Sequence, residues 1–212
     1  MKRQLSSMLL IAIIACLLLH AYCAEADGPI GKGFDHTVFK DHEYYNEDKF
    51  DKTWQVVEVP AIDDKKCFYA LYIEGDMEGN VTEISIAFIA SKNNAALFDV
   101  TSGQLLVDDG RVFNFEFSDM YKQYNIEEEH FPDFLFTKEE AKEFLDALTK
   151  TGGISLRINS DSGRFDEEFS NEELKAVKEL ADELIKQDGL EYYDDSVARG
   201  LVDLKAYSYS IS

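Results

Sequence analysis

The chain has 212 residues, of which 42 are acidic and 21 basic, for a formal net charge of -21. That balance removes the basic footprint which nucleic acids and anionic membranes require, so neither is expected as a partner. It favours solubility and attraction to cations or basic proteins.

The first residues, "MKRQ" followed by "MLLIAIIACLLLHAYCA" and Ala24-Glu25-Ala26, have the order of a signal peptide, assigned to residues 1–26. The apolar core from Met8 to Leu19 is shorter than the roughly 20 residues needed to span a bilayer, so no membrane insertion is expected after cleavage. The expected compartment is therefore periplasmic or extracellular. A rival reading takes Ile13-Ile14-Ala15-Cys16 as a lipoprotein box, with a lipid anchor on Cys16; Leu17, Leu18 and Leu19 directly after it argue against that. Removal of Cys16 and Cys23 with the signal leaves Cys67 as an unpaired thiol, and the remaining chain suits one domain built around an apolar core.

Residues 27–50 are polar, lack periodicity and read as an arm leading into the domain. Within them "FDHTVFKDHEYY" brings Asp35, His36, Asp41, His42 and Glu43 close together, and imidazole with carboxylate suits zinc, copper or nickel. His36, Asp41 and His42 are thus the candidate metal ligands. Their spacing matches no standard motif and such composition is common in solvated arms, so no cofactor is expected.

From Trp54 the pattern has period two, the mark of half-buried strands. Gln55, Val57 and Val59 share one face, followed by Cys67, Tyr69, Leu71 and Ile73, and then by Ile84, Ile86 and Phe88. "EGDMEGN" and "SGQ" supply turns between them, and Asn80-Val81-Thr82 is a glycosylation sequon in a eukaryotic source. "LLVDDGRVFNFEF" predicts a hairpin with Asp109-Gly110 as a two-residue turn and Phe113, Phe115 and Phe117 facing one way.

Two amphipathic helices follow. Thr137 and Glu140 form a capping box ahead of Ala141, Phe144, Leu145 and Leu148, and Gly152-Gly153 ends that helix. "ISLRINS" is a strand with Ile154, Leu156 and Ile158 inward, and "GRFDEEF" adds an edge. "NSDSGRFDEEF" has calcium-loop acids but lacks the glycine and glutamate that such a loop needs. Ser170 with Glu173 opens the second helix, which buries Leu174, Val177, Ala181 and Leu184 and ends at Gly189. The expected fold is mainly β: an antiparallel, jelly-roll-like β-sandwich over residues 51–188 with the two helices in its C-terminal half, then a segment over 189–212 that forms a short helix or lies on the surface.

The order of these elements, with "FDKTWQVVEV" leading to Cys67, "GQLLVDDGRVFNFEF", "FLDALTKTGG" and "ISLRI", resembles the invasion-associated locus B type of bacterial periplasmic protein over roughly residues 50 to 187. The resemblance implies a non-catalytic envelope β-sandwich linked to host-cell entry. Members usually carry a second cysteine shortly after the Trp, paired with the one that follows; Val56, Val57 and Glu58 stand there instead. On that resemblance Trp54 and Cys67 are structural, Cys67 being the remaining half of a lost pair. It supplies no catalytic residue.

No G-x-S-x-G, P-loop, HExxH or CxxC pattern occurs, and His36, His42 and His130 all sit in polar segments away from the strand holding Cys67, so no catalytic residue is assigned. Acidic pairs and triplets at Asp63-Asp64, Asp108-Asp109, Glu127-Glu128-Glu129, Asp166-Glu167-Glu168 and Asp194-Asp195 fall mostly in predicted turns. In "DMYKQYNIEEEHFPDF", Tyr121, Tyr124 and Phe131 alternate with Glu127, Glu128 and Glu129, the mixture of aromatics and charge that suits contact with a protein partner, preferably a basic one. Three functions fit: a non-catalytic envelope protein that binds another protein, an inhibitor of a cationic secreted enzyme such as lysozyme, and a hydrolase using scattered carboxylates.

Overall fold

The computed structural model describes residues 33–92, 95–97, 100–117 and 133–200. In chain order they form η1 (His36–Phe39), β1 (Tyr44–Asp48), β2 (Thr53–Glu58), β3 (Cys67–Asp76), β4 (Val81–Lys92), β5 (Ala95–Leu97), β6 (Val100–Val107), β7 (Val112–Glu116) and β8 (Asp133–Leu135). Then come α1 (Lys138–Lys150), β9 (Gly153–Ser160), β10 (Gly163–Ser170), α2 (Lys175–Lys186) and η2 (Gly189–Tyr192). The architecture is mainly β, with two antiparallel sheets and both α-helices in the C-terminal half, as the alternating pattern and the two capping boxes predict.

The larger sheet has six strands; β1 to β5 pair in sequence order and β8 adds to β4. The smaller has the order β10-β9-β6-β7. The two differ in burial. In the smaller sheet one face is covered, with Leu105, Val107, Phe115, Ile154, Leu156 and Ile158 inside, while Leu106 and Val112 pair across β6 and β7 on the open side. In the larger sheet the central pair is covered on both faces. Register sets Tyr69 opposite Phe88 and Leu71 opposite Ile86 on one face, and Phe68 opposite Ile89 and Ala70 opposite Ala87 on the other, and all eight are buried. The half-buried reading of β3 and β4 is therefore corrected: "CFYAL" and "ISIAFIA" are continuous apolar runs of the kind found in strands buried on both sides.

Aromatic rings join the layers. Tyr69 meets Phe169 of β10 edge-on at 6.2 Å, and Phe88 lies 5.0 Å from Phe115 of β7. Phe144 of α1 stacks on Phe136 at 5.1 Å and receives the edge of Phe113 at 5.4 Å. Phe113, Phe115 and Phe117 do face one way, since the first two reach Phe144 and the second and third reach Phe88.

The β6–β7 turn is one residue longer than the sequence suggests. The Val107 N–H bonds to the Arg111 carbonyl and the Gly110 N–H to that of Val107, which encloses Asp108, Asp109 and Gly110. Gly110 takes φ 89°, a left-handed conformation that costs a glycine little, so a three-residue loop ending in a left-handed glycine replaces the two-residue form.

Both capping boxes form. Thr137 and Glu140 exchange bonds at the start of α1. Ser170 and Glu173 do the same, but Ser170 is the last residue of β10, so regular helix begins only at Lys175 after one turn. Glu173 is held down to about 2 by the Ser170 N–H, the Lys65 ammonium and the Ser170 hydroxyl. Helix α2 buries Val177, Leu180, Ala181 and Leu184, and each buried Val or Leu contributes about 2 kcal/mol relative to exposure. After η2, Tyr193 bridges to Val81, and Asp195 caps α1 by accepting the Lys138 N–H at 2.7 Å.

Residues 33–48 are not a leader outside the domain. Phe34 and Phe39 are buried, β1 is the first strand of the larger sheet, and the Phe34 N–H bonds to the Gly79 carbonyl at 2.7 Å. Two phenylalanines five positions apart in a polar run produce no periodicity, which is why the sequence reads there as an arm.

Candidate functional site

The most chemically organised region lies where this N-terminal segment crosses β2. Trp54 forms its floor. Its indole N–H donates to the Asp76 carbonyl at 3.0 Å, and its ring covers Gly75, where a Cβ would come within 2.4 Å of Cζ2. Phe34, Phe39 and His36 surround the indole at 5.8, 5.7 and 5.5 Å, His36 being stacked on it. Trp54 thus packs the N-terminal segment against the sheet. Asp35 sets the entry by capping η1: its carboxylate accepts from the Thr37 hydroxyl and N–H, which hold it below the usual range.

His36 and His42 occupy separate networks. Tyr45 donates its hydroxyl hydrogen to Glu47 at 2.6 Å and so accepts from His36 Nδ1 at 2.7 Å, while Lys40 approaches Glu47 at 3.0 Å. His42 sits between two carboxylates. Its Nδ1 is 2.7 Å from Glu58 Oε1 and its Nε2 is 3.1 Å from Glu183 Oε2, with the ring edge-on to Phe39. The His42 and Glu58 side chains are 9% and 8% exposed, against 39% for Glu183. The Glu58 bond outweighs burial and, with the Glu183 bond, lifts the imidazole above its ordinary value of 6.5. When the ring is protonated both nitrogens carry hydrogen and donate, one to each carboxylate.

This arrangement does not bring the candidate metal ligands together. His36 and His42 have separate hydrogen-bond partners, and Asp41 is exposed. Glu58 and Glu183 lie on opposite sides of the His42 ring, so their oxygens and one ring nitrogen cannot meet at a point. Among the described residues no three His, Cys, Asp or Glu side chains are placed to hold a metal ion. The calcium-loop acids are likewise separated: Asp166 pairs with Arg157 across the β9–β10 hairpin and with Arg164 two residues before it on β10, and the Asn159 amide donates to Ser102.

Cys67 lies fully buried at the start of β3. Burial, reinforced by the Glu167 and Asp166 carboxylates, pushes its thiol up to about 12, so no thiolate is available at neutral pH. Lys65, two residues before it, fastens the loop there to β10: it pairs with Glu173 at 3.0 Å, donates to the Glu168 carbonyl and lies 4.8 Å over the Phe169 ring. Tyr121, Tyr124, Glu127, Glu128, Glu129 and Phe131 lie outside the described residues. Of the acidic clusters within them, Asp63-Asp64 and Asp108-Asp109 are exposed in turns, whereas Asp195 is buried as a helix cap.

Sequence reasoning missed Glu58 and Glu183. A signal for Glu58 was present. By period two it shares a face with Trp54 and Val56, and an acid on a buried face needs a partner. Glu183, in α2, is 141 residues from His42, and nothing local marks it as that partner. No family model, curated protein or solved structure matches the chain.

Proposed function

We propose that this chain is an exported, non-catalytic acidic protein of the cell envelope that acts by binding another protein, with contact at a host surface as the setting that the family resemblance suggests. The observation that carries this reading is the division of its polar groups. Among the described residues the side chains best suited to chemistry are held inside the fold: Cys67 by burial, His36 by Tyr45, His42 by Glu58 and Glu183. The carboxylates at Asp63-Asp64 and Asp108-Asp109 stand exposed in turns at the surface. In a chain of net charge -21 such turns suit a basic protein surface, where complementary charge speeds encounter and selects the partner.

The test is affinity capture with the purified protein against envelope extract and host-cell surface proteins, at low and at high salt. Contacts between exposed charges weaken over that range, whereas a packed interface survives. One partner retained at high salt is expected. Recovery of assorted basic proteins alone, all released by salt, contradicts the reading. Loss of lysozyme activity at micromolar protein moves the function to enzyme inhibition.

A further inference from the structure

We propose that His42 is a proton-operated latch: its imidazolium joins the N-terminal segment to α2 through Glu183, and loss of one proton opens that link while the bond to Glu58 persists. Three parts of the chain meet at this ring. His42 lies in the turn between η1 and β1, Glu58 ends β2, and Glu183 is in the last turns of α2.

The charged groups facing the ring are few. Glu58 comes from β2 and Glu183 from α2. Lys186, further along α2, lies within electrostatic reach of Glu183 but is paired with Asp182. From β1 the Tyr44 hydroxyl feels Glu58, and Glu43 before it feels Tyr44. From η1 the contact is the apolar edge of Phe39, and Lys40 after it is paired with Glu47. Among the described residues no other cation is paired with Glu58 or with Glu183, so loss of one proton from His42 makes the cluster more negative by one charge.

A neutral imidazole has a single N–H for two carboxylates. The geometry decides which keeps it. Glu58 is only 8% exposed, and its bond is the shorter at 2.7 Å; Glu183 is 39% exposed and can turn outward to be hydrated. The proton therefore stays on Nδ1, the Nε2 lone pair faces an anion, and Glu183 leaves. What remains between the N-terminal segment and α2 is apolar packing. The latch is closed below the imidazole's raised midpoint and open above it.

The experiment is backbone hydrogen exchange of the full chain between pH 6 and 9, corrected for intrinsic rates, read at the His42 and Tyr45 amides, which donate to Phe39 and His42 carbonyls. Protection there is expected to fall about threefold as pH passes the midpoint, the loss that a partly exposed ion pair represents. The β9–β10 ladder should stay constant. In Glu183→Gln the amide can donate to or accept from Nε2, so the step should vanish. His42→Gln should also abolish it and, if that variant does not fold, Glu183→Gln carries the test alone. Protection at His42 and Tyr45 that follows the β9–β10 ladder throughout, or a step that persists in Glu183→Gln, overturns the latch.

Discussion

Glu58 Oε1 lies 2.7 Å from His42 Nδ1, joining two residues sixteen positions apart, both nearly excluded from water. A carboxyl group on the covered face of β2 is tolerated because the His42 imidazole meets it. Removing one member of such a pair leaves the other buried without compensation, which costs about 3 kcal/mol or more. His42→Ala should therefore lower unfolding stability by that amount, and Glu183→Ala, at a partly exposed site, by less than about 1 kcal/mol. Urea unfolding of the two variants checks the ordering.

The same pair fixes a pH dependence. His42 is raised above its ordinary value in the folded protein, so its contribution is complete below 6.5 and is lost as pH rises through the folded value. Chemical denaturation from pH 6 to 9 should show stability falling across that window, and a flat profile in His42→Gln.

Asp195 acts at the opposite end of the scale. Burial pushes its carboxyl up, but the Lys138 N–H and Arg199 outweigh that and hold it below its ordinary value of 3.8. Its contribution is present above 3.8 and disappears as pH falls through the folded value. Asp195→Ala should cost about 1 kcal/mol, the usual value of a helix cap, and should remove part of the acid limb of the stability profile.

Tyr69 is fully buried, and its hydroxyl has no hydrogen-bond partner among the described residues. Burial without compensation also raises its ionisation well above the ordinary tyrosine range. Because the ring fills the space between the sheets and the hydroxyl gains nothing there, Tyr69→Phe should raise stability by about 1 kcal/mol. A lower unfolding midpoint in that variant would show that the hydroxyl has a partner.

Cys67 should resist thiol reagents in the native protein and react at once in denaturant, because burial keeps it as the thiol. Rapid native labelling would place it at the surface instead.

Much of this fold is legible in the sequence. Thr137 with Glu140 and Ser170 with Glu173 mark both helices, and the alternation of Ile154, Leu156 and Ile158 marks the inner face of β9. What escapes is long-range or aperiodic. Phe34 and Phe39 pack on Trp54 from a segment whose local composition is that of a solvated arm. The His42 cluster joins a turn, a strand and a distant helix, so its geometry exists only after the sheet and α2 have met. The same histidine therefore looks like a ligand in sequence and becomes the partner of two carboxyl groups in the fold.

The most direct test of that assignment is an NMR titration of the His42 imidazole through its long-range nitrogen–proton correlations. The structure predicts a ring protonated on both nitrogens at pH 6.5 and a midpoint above that value. A neutral single tautomer at pH 6.5, or a shift of the ring nitrogens on addition of zinc, would contradict it.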